Sequence, residues 1–112
     1  MAPNSSLQCE VEKLAEKDQH GNEVTIVTCH GRLVSDTAGE IKEVVKPLLA
    51  SGGRTVVNLA DVSYLDSSGL GALVGLKASA IRQGLCRLEF TNMTPRVLEL
   101  LRLTNLTQMF AS

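Results

Sequence analysis

The sequence predicts one α/β domain over residues 1–112, with elements in the order β-β-α-β-α-β-α-(β). Two kinds of observation carry this reading. Short β-branched or alternating runs recur along the chain, at "LQCEVEK", "VTIVTCHG", "RTVVNL" and "CRLEFT". Between and after them lie longer stretches with apolar residues at helical spacing. Strand–helix–strand succession implies a sheet with parallel pairs and right-handed crossovers.

Each element has a local reason. Leu7, Cys9 and Val11 alternate with Gln8, Glu10 and Glu12, the period of a half-buried strand. "DQHGN" (18–22) has turn chemistry, so this run and "VTIVTCHG" (24–31) are expected to form a hairpin. The second run is nearly continuous and β-branched, as suits a central strand. In "SDTAGEIKEVVKPLLASGG", Thr37 and Glu40 have capping-box spacing, and Ile41, Val44, Val45 and Leu48 share one helical face. Pro47 lies near the end of that helix, just before the Gly52–Gly53 stop. "RTVVNL" (54–59) is a short strand, and "ADVSYLDSSG" leads from it into a helix. Leu70, Leu73, Val74, Leu76, Ala80 and Ile81 give this helix a broad buried face, and Gly84 ends it. "CRLEFT" (86–91) alternates with Cys86, Leu88 and Phe90 on one side. Thr94 and Pro95 open the last helix, as N-cap and first helical residue. "LTQMF" is expected to close the chain as a short strand.

Composition narrows the function. At 44% hydrophobic, 21% charged and a net charge of −1, the chain has the balance of a globular domain. Its eleven Lys and Arg are scattered, and it has three aromatic residues and no Trp, so no nucleic-acid footprint or base-stacking platform is expected. No apolar run approaches the ~20 residues of a membrane span. The N-terminus lacks the basic start and apolar stretch of a signal peptide. Cys9, Cys29 and Cys86 lie far apart in sequence with no metal-ligand spacing to each other or to His20 and His30. They read as buried reduced thiols, which favours the cytoplasm. No cofactor or metal is expected.

"YLDSSGLGAL" (64–73) carries the chemistry. A loop at the carboxyl end of a strand, feeding a helix, is where open α/β sheets place their sites. Asp66, Ser67 or Ser68 could simply N-cap the helix, with Gly69 and Gly71 packing its first turn closely. A serine nucleophile would want glycine on both sides and a base. Here Tyr64, Leu65 and Asp66 precede the serines, and neither histidine has a visible orienting partner. A phosphate-binding loop would want a lysine within it, but the first basic residue after it is Lys77. A phosphoacceptor fits better, because a helix N-terminus tolerates added negative charge. The cap and the phosphoacceptor both remain open on the residues alone.

"VVNLADVSYLDSSGLGALVGL" resembles the signature of STAS domains, and in particular of free-standing bacterial anti-sigma-factor antagonists. "VTIVTCHGRL" with "TAGEIKEVV", and "TNMTPRVLELLRLTNLTQMF", extend the similarity over most of the chain. The resemblance implies a mixed β-sheet with helices packed mainly on one face. It also implies partner switching by a binding protein that is not an enzyme. The unmodified antagonist binds an anti-sigma factor that is also a serine kinase, and so frees the sigma factor. The kinase phosphorylates the serine after the aspartate, here Ser67, and a phosphatase reverses this. Asp66, Ser68, Gly69 and Gly71 match the family's loop position by position and become candidate partner-binding residues. The family often has an aspartate directly after "G-x-L". Here Val34 stands there, and Asp36 is the nearest acid and a further candidate. The chain stops at Ser112, where many relatives continue into a last helix. Edge strands leave room for a homodimer. The alternative is a STAS module of a lipid or anion transport system or of a stress-sensing assembly.

Overall fold

The computed structural model describes residues 7–111. The expected domain, 1–112, thus includes residues 1–6 and 112, which lie outside the described residues. The elements are β1 (Leu7–Lys13), β2 (Val24–Leu33), α1 (Ala38–Ser51), β3 (Gly53–Leu65), α2 (Ser67–Gln83), β4 (Cys86–Thr91), α3 (Pro95–Leu103) and α4 (Thr107–Ala111). The four strands form one sheet in the order β1-β2-β3-β4. β1 runs antiparallel to β2, and the β2–β3 and β3–β4 pairs are parallel. The sheet is therefore mixed, with the expected hairpin at its start.

Period-two alternation assigns the strands two unlike faces. Val27, Cys29, Val57, Leu59, Leu88 and Phe90 join one buried cluster with Ile41, Val45 and Leu49 of α1 and Leu70, Leu73 and Leu76 of α2. Val97 and Leu101 of α3 and Phe110 of α4 belong to the same cluster, so every helix packs on that face. Burying each such Leu contributes about 1.5–3 kcal/mol.

The structure corrects the sequence reading in several places. The C-terminal "LTQMF" is helical, not a strand. Leu106 N donates to Leu101 O at 2.8 Å, and the Phe110 ring sits 5.1 Å from that of Phe90, so the segment folds back on the core. Five residues are too few to tell period two from helical spacing. Strand β3 runs on to Leu65, six residues past its expected end. Opposite Thr28–His30 it spends the residues Asn58 to Asp61, and opposite Gly31–Arg32 the residues Val62 to Tyr64. Each is a bulge with one extra residue, and each breaks the alternation by which a strand is recognised. Thr37 and Glu40 form no capping box, since Thr37 makes no side-chain bond to the helix N-terminus. Pro47, as expected, lies near the end of α1, which stops at Ser51 before Gly52. Ile81, expected on the buried face of α2, is 62% exposed, and Lys77, which was not expected there, is 5% exposed. Lys77 Nζ donates to Leu88 O at 2.6 Å, and burial pushes its pKa down.

The helix-free face is polar. Arg54 and Arg87 both pair with Glu89, at 2.7 Å each. With Asp18, His20 and Asn22 they line a cavity of about 300 Å³ at the amino ends of β3 and β4. Farther along, His30 links three strands: Nδ1 lies 2.6 Å from Asp61 Oδ2 and Nε2 3.3 Å from Glu10 Oε1. The Asp61 bond, and then the Glu10 bond, raise the His30 pKa above its ordinary value. A raised folded value means that this contact stabilises fully below the unfolded pKa of about 6.5, and that the contribution is lost as pH rises through the folded value. The NMR titration midpoint of the His30 Cε1 proton should therefore move to lower pH in Asp61→Asn. An unmoved midpoint would show that Asp61 does not hold the proton there.

Candidate functional site

The site is the junction of β3 and α2. Asp66 has extended backbone (φ −109, ψ −173), and its Oδ1 accepts from Gly69 N at 2.9 Å. Leu70 N donates to Asp66 O at 2.9 Å, the first intrahelical bond. Asp66 is therefore the N-cap, and Ser67 and Ser68 are the first two helical residues. Of the three candidate caps, Asp66 fills the position, and neither Ser67 nor Ser68 does. Both serines are exposed. Their N–H groups precede the first intrahelical bond and face outward with the positive end of the helix dipole.

The loop is held from beneath by the end of β2. Asp66 N donates to Leu33 O at 3.3 Å. Gly69 is buried on the same carbonyl: a Cβ there would overlap Leu33 O and lie 2.9 Å from Leu33 C. Its glycine requirement is thus internal to the fold. Gly71, by contrast, is exposed, and a Cβ there would meet nothing within 4 Å. Thr37, 2% exposed, fixes the adjoining β2–α1 turn. Its Oγ1 donates to Arg32 O at 2.7 Å and accepts from Val34 N at 2.9 Å. Asp36 is exposed in that turn, beside half-buried Val34. On the helix-free side, the Arg32 guanidinium lies 5.0 Å from the centre of the Tyr64 ring, a cation–π contact at the edge of the loop. Tyr64 is 44% exposed, whereas Leu65 is in the core.

The structure brings Asp66, Ser67, Ser68 and Gly71 to one exposed corner. The turn that carries Asp36 is anchored beside them through Leu33. Among the described residues, neither histidine joins them there. His30 is engaged by Asp61 and Glu10 on the helix-free face, and His20 contacts Gln19 in the hairpin loop. Lys77 is buried against Leu88. Among the described residues no three His, Cys, Asp or Glu side chains gather as metal ligands. Among the same residues no helix is long and apolar enough to cross a membrane.

Residues 16–111 match a family model described as "Mlab, STAS domain". The chain belongs to the STAS family. The anti-sigma-B factor antagonist of Staphylococcus aureus strain NCTC 8325 is 38% identical over 77 residues, which span 68% of this chain and 70% of that one. In fold, the chain is similar to an anti-sigma factor antagonist from Mycobacterium paratuberculosis, with a TM-score of 0.73 at 23% identity, covering 98% of this chain and 86% of that one. It is also similar to the Bacillus cell-fate determinant SpoIIAA in its phosphorylated form, with a TM-score of 0.63 at 16% identity, covering 93% and 87%.

The STAS loop depends on residues that the sequence reading missed. Leu33 accepts the Asp66 N–H through its backbone carbonyl, a role that no side-chain pattern can reveal. Thr37 was visible as a polar residue before a helix, but its role is to close the preceding turn. Arg32 and Tyr64 sit on the helix-free face on neighbouring strands, and their pairing follows only once the β3 bulges set the register.

Chemical denaturation separates these roles. Asp66→Ala should cost about 1 kcal/mol, the worth of an N-cap. Gly69→Ala should cost roughly 1–3 kcal/mol, because backbone must move to admit the Cβ. Ser67→Ala and Ser68→Ala should stay within about 0.5 kcal/mol of wild type, as exposed positions do. A Gly69→Ala protein as stable as wild type would contradict the close packing on Leu33.

Proposed function

We propose that this STAS protein is an anti-sigma-factor antagonist that works by partner switching. In its unmodified form it binds an anti-sigma factor that is also a serine kinase, which releases the sigma factor. The kinase transfers phosphate from ATP to Ser67, binding is lost, and a phosphatase restores it. The chain itself acts by binding and catalyses nothing. The cytoplasm, where sigma factors work, is its place of action.

One observation carries the reading: Ser67 is exposed at the first position of a helix whose cap, Asp66, is already engaged by Gly69 N. A kinase can reach the hydroxyl without unfolding the loop. The added charge of about −1.5 to −2 meets the free N–H groups of the helix start, so the fold tolerates it. A partner packed on the same corner would have to desolvate that charge, which costs several kcal/mol, and about 1.4 kcal/mol already lowers affinity tenfold. Exposed Ser68, Gly71 and Asp36 surround the acceptor and form the proposed contact surface. Asp66 shapes the loop and sets its local charge, and Gly69 supports the surface from below. With Val34 in the place of the family's usual aspartate, Asp36 is the acid nearest to that position in sequence. The 38% identical relative, named an anti-sigma-B factor antagonist, supports the same reading.

Incubation with a cognate anti-sigma kinase and ATP, read by mass spectrometry, should add one phosphate to wild type and none to Ser67→Ala. Equal incorporation in the mutant would move the acceptor elsewhere. Phosphorylated protein should bind the kinase at least about tenfold more weakly than unmodified protein. Equal affinity of the two forms would sink the switch and favour a STAS interaction module of a transport or stress-sensing assembly.

A further inference from the structure

Cys9 and Cys29 are twenty residues apart in sequence and directly opposite in the β1–β2 register, with their sulfurs 3.5 Å apart. The kind of pair can be read from the ladder. Leu14 N donates to Val24 O, so those two residues form a hydrogen-bonded pair at the end of the hairpin. Opposed pairs alternate between bonded and non-bonded along an antiparallel ladder. Cys9 and Cys29 lie five steps farther on and are therefore a non-bonded pair, the closer kind, with Cα atoms about 4.5 Å apart. That is inside the range of about 4.4–6.8 Å that a disulfide spans. The two side chains leave the same face of the sheet, and their sulfurs already face each other across the ladder.

The geometry points to Cys9 and Cys29 as an oxidation site, at which a peroxide converts the two thiols into a reversible intramolecular disulfide. Exposure divides the labour. Cys29 is fully buried, and Cys9, on the edge strand, is only half-buried. Cys9 meets the oxidant, and Cys29 resolves the product. The thiol–thiol contact supports this order: it lowers the Cys9 pKa and raises that of Cys29. His30 also favours the Cys9 thiolate, while burial and Glu40 of α1 oppose it. In the first step the Cys9 thiolate attacks a peroxide oxygen. The O–O bond breaks, Cys9 becomes a sulfenic acid, and the departing oxygen takes a proton and leaves as water. In the second step Cys29 sulfur attacks Cys9 sulfur, the S–O bond breaks, and hydroxide takes the Cys29 proton and leaves as water. Two thiols and one hydrogen peroxide give one disulfide and two waters. A dithiol reverses the change by exchange.

Cys86 cannot compete. It lies on β4, two strands from β2, at about 4.8 Å per strand, beyond disulfide reach of Cys29. It is buried beside Thr55 Oγ1. The Cys9–Cys29 bond would tie the sheet's edge strand to β2, four residues before the Leu33 carbonyl that supports Asp66 and Gly69. The inference does not rest on the antagonist reading, and its test uses the chain alone.

The full chain is treated with hydrogen peroxide, its free thiols are alkylated, and the protein is digested and mapped by mass spectrometry. The expected product is a monomer lighter by two hydrogens before alkylation, with Cys9 and Cys29 peptides joined and Cys86 alkylated. Dithiothreitol should return all three thiols. Cys86→Ser should form the same link, and Cys9→Ser should form none, with its fold checked by circular dichroism. Free Cys9 and Cys29 after peroxide treatment, a link that includes Cys86, or a bond only between two chains would each overturn the proposal.

Discussion

The Leu33 carbonyl is the point on which the exposed corner depends. It closes β2, accepts from Asp66 N and receives the bare backbone of Gly69. One oxygen thereby joins the end of a central strand to the start of the helix that carries both serines. Thr37 completes the arrangement from the other side, by holding the backbone of Arg32 and Val34 on either side of Leu33. Most groups in this network are backbone atoms or buried side chains. The surface residues above it, Ser67, Ser68, Gly71 and Asp36, are therefore free to vary in chemistry without disturbing what positions them.

The sheet separates stability from recognition in a second way. Its apolar face is closed by four helices, and its polar face carries cross-strand ion pairs centred on His30 and Glu89. Such exposed pairs contribute little individually. They do match charge across β1, β2 and β3 at one place and β3 and β4 at another. The pocket beside Glu89 contains two arginines, but Glu89 bridges them and Asp18 approaches Arg54 at 3.9 Å. Its positive charge is spent within the protein, which distinguishes it from the open helix N-terminus at the opposite end of the parallel strands.

What was legible in the sequence followed local chemistry. Thr94 with Pro95, Gly84, and the Gly52–Gly53 stop act within one turn of chain, and each stands where the residue types put it. The long-range features were hidden for a physical reason. From Val57 onward the buried residues of β3 are Val57, Leu59, Val62 and Leu65, so the spacing changes from two to three at each bulge. Read as a simple alternation, the strand ends at Leu59. The cysteine pair was hidden by register. Cys9 and Cys29 are equidistant from Gln19, whereas the turn-forming run 18–22 centres on His20. A one-residue error in the centre shifts the partner of Cys9 by two, to Gly31, and two adjacent thiols look unrelated.

The cap residue bears on how the proposed modification of Ser67 would change binding while sparing the fold. Asp66 places a carboxylate beside the hydroxyl of Ser67, which by itself would oppose a phosphate. That carboxylate is already committed to Gly69 N, while the N–H groups of Ser67 and Ser68 are not yet used by the helix. The helix start supplies about half a positive charge, worth roughly 0.3–1 kcal/mol to an exposed anion. Water solvates the rest, because both serines face it. Within the free protein the opposing terms are therefore small and of similar size. At a packed interface the water is gone and only the repulsion and the desolvation cost remain. A phosphate on Ser67 would thus be nearly neutral to folding and strongly unfavourable to docking. That asymmetry would come from the place of the proposed acceptor, one residue after the cap, on the solvent side of a helix whose opposite side is locked to Leu33.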